Sequence, residues 1–556
     1  MSDPALAVTA QIPPRPGDAV LERATLARRA DVGARLRAED ATLWAPEGTP
    51  EVADRLGWLT IAERMLADLP ALEAFAAEVR AEGISDLVLL GMGGSSLAPE
   101  VLRRSFAGAG GPRLHVLDST DAAAVAAVGA EADLDRSLFI VSSKSGGTIE
   151  PLSLFAHFFS LVGQGARYVA ITDPGSGLER LAREHGFRRV FAGDPDIGGR
   201  YSALSPFGIV PAALAGIDAG ELLRGAAGAW TTPLDPSVPG AAEAPQAGVW
   251  LGAALSALAR AGRDKLTFVI GETLPGLGLW LEQLVAESTG KQGTGILPVA
   301  DEPLADAARY GSDRVFAHLP DLGSPDARAD AAMAALAQAG HPVITVPTRG
   351  PGDLGRVFLL AEIAVAVAGW GLGINPFDQP NVQQAKDATK RVLAEYEQRG
   401  TGADITALAP EPADEATARA LLLEAAPPQY VALMAYAKPS DALDAAAAEL
   451  RAAIIAATGA TTTFGYGPRF LHSTGQFHKG GPREGRFLQI LHDGPTDVAI
   501  PGAAYSFTTL KEAQAIGDLQ TLRELGLPAE RVRLEGEDPA AALRALASRL
   551  TEGSAP

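Results

Sequence analysis

Leu138-Phe139-Ile140-Val141-Ser142-Ser143-Lys144-Ser145-Gly146-Gly147-Thr148-Ile149-Glu150 runs from a short apolar stretch through hydroxyls and glycines into a second apolar segment. The first part predicts a buried parallel strand and the part after Thr148 predicts a helix. That order aims backbone N–H groups and the positive end of a helix dipole at one point, a seat for a phosphate or another oxyanion. Ser143, Ser145 and Thr148 supply hydroxyl donors, while Gly146 and Gly147 let the chain approach a ligand closely. The plainer alternative is a strand-to-helix turn capped by Thr148. Upstream, Leu87-Val88-Leu89-Leu90 runs into Gly91-Met92-Gly93-Gly94-Ser95-Ser96, with a helix start at Pro99. Two such loops in nearby βα units are able to converge on the carboxyl edge of one sheet.

Outward from these loops the pattern stays α/β. Strand-like runs at 86–90, 114–117, 138–142, 168–172 and 189–191 alternate with helical segments, which predicts a parallel sheet covered on both faces. A second series at 265–270, 296–299, 315–319 and 342–346 predicts another doubly wound sheet, and a smaller α/β region follows. In that region 441–457 reads as helix, 461–464, 487–491 and 497–500 as strands, and 531–550 as a final strand and helix. The expected division is an N-terminal arm over 1–50 with a helix at 19–38, a first domain over 51–235, a second over 236–402 and a C-terminal α/β domain over 403–556. Between 50 and 83 the pattern is helical, with Trp58, Ile61, Met65 and Leu69 on one buried face.

Composition narrows the function. Across 556 residues, 67 acidic against 47 basic side chains give a net charge of −20, which argues against nucleic acid or an anionic membrane as partner. The absence of cysteine removes disulfides, thiolate nucleophiles and cysteine metal sites. No uninterrupted apolar run approaches the ~18 residues of a membrane span. The first residues lack a signal-peptide pattern, so the expectation is a cytoplasmic protein.

Four further segments carry chemistry. In 198–205, Arg200 follows two glycines and presents a permanent cation suited to a phosphate or an enolate oxygen; the alternative is a surface arginine paired with an acid. In 279–291, Gln283 and Glu287 share a helix face that Gly290 terminates. Glu287 is a candidate general base, or else a solvated glutamate. In 373–386, two prolines stiffen a turn and Pro380 starts a helix whose Val382, Ala385 and Thr389 face inward; Lys386 beside them either snorkels outward or points into a pocket. In 470–482, His472 and His478 stand six apart among Ser, Thr and Gln. That spacing, with no acidic residue in the stretch, disfavours zinc, and the polar surroundings favour an acid–base or hydrogen-bonding histidine.

Taken together, GMGGSSLAP at 91–99, SKSGGTIEP at 143–151, GGRYSALS at 198–205, LWLEQLVAESTGK at 279–291, GINPFDQPNV at 373–382 and LHSTGQ at 471–476 resemble the glucose-6-phosphate isomerase family, built on two sugar isomerase (SIS) domains. The resemblance implies that Gly93, Gly94, Ser95, Ser143, Lys144, Ser145 and Thr148 hold a sugar phosphate and that Gln283 contacts the substrate. It further implies that Glu287 moves a proton between C2 and C1 through a cis-enediolate, that Arg200 stabilises this intermediate, and that His472 with Lys386 opens the pyranose ring. No metal or cofactor is implied, and a homodimer is. The histidine segment follows both ESTGK and NPFDQP here, whereas the family usually places it between them; LHSTGQFHKGGP resembles isomerase regions fused to transaldolases. The alternatives are an isomerase that also takes mannose 6-phosphate, with Thr289 or its neighbours the deciding position, and a non-catalytic sugar-phosphate sensor. A sensor has no use for Glu287, Arg200 and Lys386 together.

Overall fold

The computed structural model describes residues 3–400 and 404–551. Fourteen strands are present among them: β1 (Thr9–Gln11), β2 (Asp86–Leu90), β3 (Arg113–Leu117), β4 (Ser137–Ser142), β5 (Tyr168–Thr172), β6 (Arg189–Ala192), β7 (Lys265–Ile270), β8 (Leu297–Val299), β9 (Arg314–Leu319), β10 (Val343–Thr345), β11 (Tyr430–Tyr436), β12 (Thr461–Tyr466), β13 (Gly485–Leu491) and β14 (Ala529–Arg533). They form three sheets, ordered β3-β2-β4-β5-β6, β1-β10-β9-β7-β8 and β12-β11-β13-β14. Every pairing is parallel except β1 against β10. The expected α/β class, with two doubly wound sheets and a smaller third, is what the chain adopts.

The three sheets share one topological feature, and in the first it positions the glycine loops of the site. In each, β2, β7 or β11 is flanked by the next strand on one side and a later strand on the other. Chain order therefore reverses at that strand, and the crevice beyond its carboxyl end is where ligands bind in such sheets. β2 and β4 are buried on both faces along their whole length, which is why they read as continuous apolar runs.

Several expectations are corrected. Helix 19–38 is two helices, Pro14–Arg29 and Val32–Arg37, separated at Asp31, whose φ of 52° is left-handed. The 50–83 helix is regular only over Ile61–Ala81, although Trp58, Ile61, Met65 and Leu69 are all buried as expected. The helix that follows the first glycine loop starts at Leu97, two residues before Pro99. Segment 497–500 is not a strand: Ala499 makes one isolated bridge to Ser506, and Asp497 accepts from its neighbour Val498 N and from Thr508 N. Such local bonds compete with a sheet ladder. Two strands were not foreseen. β1 places part of the N-terminal arm on the edge of the second sheet, and β11 forms the interior of the third. The expected boundary at 402/403 and the side chain of Val382 lie outside the described residues.

Helix Leu354–Leu372 packs along Ala247–Arg260. The stretch Pro351–Leu372 is long and apolar enough to cross a membrane, yet its apolar window is 89% buried inside the protein, as a central core helix should be. The third region packs into the others as well. Phe507, Leu510, Ala513 and Ile516 of helix Phe507–Glu524 join Val88, Val141 and Phe158 of the first sheet's core.

Candidate active site

Loop 91–96 leaves β2 and folds back tightly. Gly93 takes a φ of 55°, and a Cβ there would meet Gln283 Nε2 and the His472 carbonyl, both at 2.9 Å. A Cβ on Gly94 would lie 2.1 Å from Gly199 O. Glycine at both positions is thus what lets the 91–96 loop press against the Arg200 loop on one side and the His472 segment on the other. Ser95 is buried in this loop, and Ser96 Oγ donates to Asp118 Oδ2 at 3.1 Å.

Arg200 and Glu287 meet directly. Arg200 is 2% exposed and Glu287 7%, and Nη1 donates to Glu287 Oε2 at 2.9 Å. The guanidinium also donates to Gln379 Oε1 at 2.9 Å, Pro376 O at 3.2 Å and Asp378 O at 2.7 Å. The 373–382 turn thus aims the arginine at the carboxylate. Burial pushes the Glu287 carboxyl above the usual range, against the opposing pull of Arg200 and the more distant His472 charge. Lys291, at the end of the same segment, donates to Asn375 O and to both Asp378 O and Oδ1 at 2.6–2.8 Å. Burial, with Arg200 nearby, brings its ammonium down to about 8.

His472 occupies the other side. Gln283 Nε2 donates to His472 O at 2.7 Å, while Gln283 Oε1 is buried without a protein partner among the described residues. His472 Nε2 lies 2.9 Å from Glu150 Oε1. Burial raises the Glu150 carboxyl, but the charge and hydrogen bond of His472, with Lys386 contributing, bring it net below its usual value. An ionised carboxylate only accepts, so Nε2 donates in this bond, and in the neutral imidazole Nδ1 is the nitrogen left without a proton. Lys386 is exposed on its helix, yet its charge reaches Glu150.

The 143–148 loop leads straight into Glu150. Ser143 Oγ donates to Thr148 Oγ1 at 3.2 Å, and helix Ile149–Val162 starts without any side-chain cap bond. The expected alternative of a Thr148 cap is therefore not what forms. Ser145 and Gly147 are exposed. Lys144 is engaged elsewhere: its ammonium donates to Asp173 Oδ2 at 2.6 Å and Asp194 O at 2.8 Å. A cleft of about 730 Å³ between the first and third sheets, lined by residues including Glu100, Asp118, Lys438, Asp444 and Arg469, borders the site at Ser473 and Thr474 but holds neither Arg200 nor Glu287.

Sequence reasoning passed over Glu150, Gln379, Lys291 and Gln476. Gln476 is fully buried and donates to Gly290 O at 2.9 Å and Asn381 Oδ1 at 2.8 Å, fastening the histidine segment to the two specific motifs. The available signal was that Glu150, Gln379, Lys291 and Gln476 all lie inside the quoted motifs. Thr289 Oγ1 is buried, donating to Val285 O and accepting from Ile296 N, at 2.8 and 2.9 Å.

A parallel sheet whose carboxyl edge carries two hydroxyl- and glycine-lined loops, with a buried carboxylate–guanidinium pair beside them, marks an α/β protein built to bind and rearrange a small anionic substrate. The family described as phosphoglucose isomerase matches residues 76–296. Glucose-6-phosphate isomerase of Rubrobacter xylanophilus is 31% identical over 414 residues, 65% of this chain and 92% of that protein. The Thermus thermophilus enzyme of the same name is 30% identical over 406 residues, 63% of this chain and 93% of its own length. Among solved structures, a hypothetical protein from Thermus thermophilus superposes with a TM-score of 0.55 at 27% identity, covering 66% of this chain and 96% of that one. The chain belongs to the phosphoglucose isomerase family.

Proposed function

We propose that the chain interconverts glucose 6-phosphate and fructose 6-phosphate through a cis-enediolate. Family membership supports the reaction, and the buried Arg200–Glu287 contact of 2.9 Å is the observation that carries the chemistry. Isomerising an aldose to a ketose needs one positioned base, a cation over the enediolate and a remote grip on the phosphate. Glu287 takes the C2 proton of the open-chain aldose and returns a proton to C1. Its raised pKa suits a group that must both take and give a proton near neutral pH. Arg200 stabilises the charge that develops on the enediolate oxygens, and the unpartnered Gln283 Oε1 accepts from a sugar hydroxyl.

His472, with Lys386 contributing positive charge, opens and recloses the ring. Its partner Glu150 fixes the tautomer and keeps Nδ1 for the substrate. The phosphate sits on Ser143, Ser145 and Thr148 with the amides at the uncapped helix start, and Ser95 with the Gly93–Gly94 backbone closes the seat. In this reading Lys144 anchors the loop through Asp173. His472 reaches the site within its own chain, so a homodimer, which the family resemblance implies, pairs two sites that each carry their own histidine. The protein works in the cytoplasm.

A coupled assay of the purified protein with glucose 6-phosphate, and separately mannose 6-phosphate, in the presence of chelator, tests the reading. The expected result is rapid turnover of the first and slow or no turnover of the second. No formation of fructose 6-phosphate from glucose 6-phosphate would overturn it.

A further inference from the structure

The bond from His472 to Glu150 does not end there. Gln514 Nε2, on helix Phe507–Glu524, donates to the same Glu150 Oε1 at 2.7 Å. Gln514 Oε1 in turn accepts from Thr120 Oγ1 at 2.6 Å. Thr120, Gln514 and Glu150 are 0%, 1% and 3% exposed, so each bond lies in a dry, low-dielectric setting where an unmet partner is costly. Both ends of the Gln514 amide are satisfied in one orientation only: the carboxylate requires the NH2 end, which leaves the carbonyl for the hydroxyl.

The loop that carries Thr120 is held along its length by the third region. Arg469 pairs with Asp118 through two bonds of 2.8 Å, Gln514 takes Thr120, and Lys511 Nζ donates to Asp121 Oδ2 at 2.9 Å. Three of four consecutive residues after β3 are therefore gripped by side chains between 469 and 514, and Ser96 of the first glycine loop is tied to the same Asp118.

We propose that Gln514 is a positioning residue for the isomerase reaction: it fixes the Glu150 carboxylate, and through it the ring and tautomer of His472. This rests on the reading of His472 as the ring-opening group. Glu150 without Gln514 keeps one neutral-donor bond fewer and regains rotamer freedom, so His472 loses its fixed orientation while the proton-transfer pair Arg200–Glu287 is untouched. The helix that supplies Gln514 belongs to the region around the third sheet, which makes that region part of the catalytic apparatus.

Ring opening is read separately from isomerisation by the exchange of α and β anomers of glucose 6-phosphate, since each opening and reclosing scrambles C1. In a Glu287→Gln background, which removes isomerisation, two-dimensional exchange NMR measures this step alone. Adding Gln514→Ala is expected to slow anomer exchange by about 10- to 100-fold, the scale on which partners that orient a functional histidine act. In the otherwise unchanged enzyme Gln514→Ala lowers kcat by a similar factor with KM changed less than about threefold, as for an interaction that serves reaction rather than binding. Thr120→Val, which removes only the outer hydroxyl, gives a smaller loss in the same direction and guards against a Gln514 variant that fails to fold. Wild-type anomer exchange in folded Gln514→Ala and Thr120→Val proteins, with His472→Asn still impaired, overturns the proposal alone. Wild-type exchange in His472→Asn overturns the underlying reading instead.

Discussion

Arg200 reaches Glu287 on a support of backbone carbonyls from Pro376 and Asp378, whereas His472 is oriented by a relay of side chains, Glu150, Gln514 and Thr120, drawn from well-separated parts of the chain. The two halves of the site are thus fixed by different means. Two carbonyls of a turn that carries two prolines hold the arginine, and of side chains other than Glu287 the guanidinium meets Gln379 Oε1. A side-chain relay is only as rigid as its weakest member. Arg200 and Glu287 lie within residues 76–296, matched by the family, although the carbonyls that hold the arginine lie beyond that span, while the histidine half also needs residues beyond 470. On the proposed roles, proton transfer and ring opening are expected to be perturbed independently.

The largest effect is expected in the base half. Glu287→Gln should lower kcat by about 10²- to 10⁴-fold, the usual worth of a positioned general base, while a sugar-phosphate inhibitor binds nearly as before by calorimetry. Wild-type turnover would remove the base and with it the division between halves. Arg200→Met should cost about 10²- to 10³-fold in kcat, as for other groups aimed at a developing oxyanion. It also sharpens the electrostatic picture. The active base is ionised, so kcat/KM rises with pH through the Glu287 pKa; burial places that limb above the ordinary glutamate range, and loss of the opposing Arg200 charge moves it higher still. A pH–rate profile of Arg200→Met with an unmoved or lowered acid limb would break that account.

Smaller effects test the loops. Ser145→Ala with Thr148→Ala should raise KM about tenfold and lower kcat modestly, because phosphate binding is used at the reacting carbons. Unchanged steady-state kinetics would show that the anion sits elsewhere. Lys144→Ala should change KM less than about threefold and lower stability by about 1–2 kcal/mol in urea melts, the loss of a partly buried charged hydrogen bond. A KM rise matching that of the hydroxyl variants would place the ammonium on the phosphate.

The fold was legible where a strand's burial produced a continuous apolar run that empties into a glycine- or hydroxyl-rich loop, as in β2 and β4. It was not legible in β11, where Tyr430-Val431-Ala432-Leu433-Met434-Ala435-Tyr436 is buried throughout and uses residues that favour helices as readily as strands. Segment 497–500 misled for the opposite reason, its apolar residues being overruled by the local bonds of Asp497. At the site, motifs pointed to Arg200, Glu287, Gln283 and His472, which the structure brings together. Pairing was hidden, because Glu150 meets partners 322 and 364 residues away and Lys144 is taken by Asp173, relations that no local pattern encodes.

The most direct test of the separation between halves follows the C2 hydrogen. Fructose 6-phosphate is incubated in D2O with the wild-type protein or with Glu287→Gln, and deuterium at C2 of glucose 6-phosphate is read by proton NMR. The account predicts incorporation into at least part of the wild-type product and none above the uncatalysed rate with Glu287→Gln, which still accelerates anomer exchange. Incorporation by Glu287→Gln at the wild-type rate would contradict it.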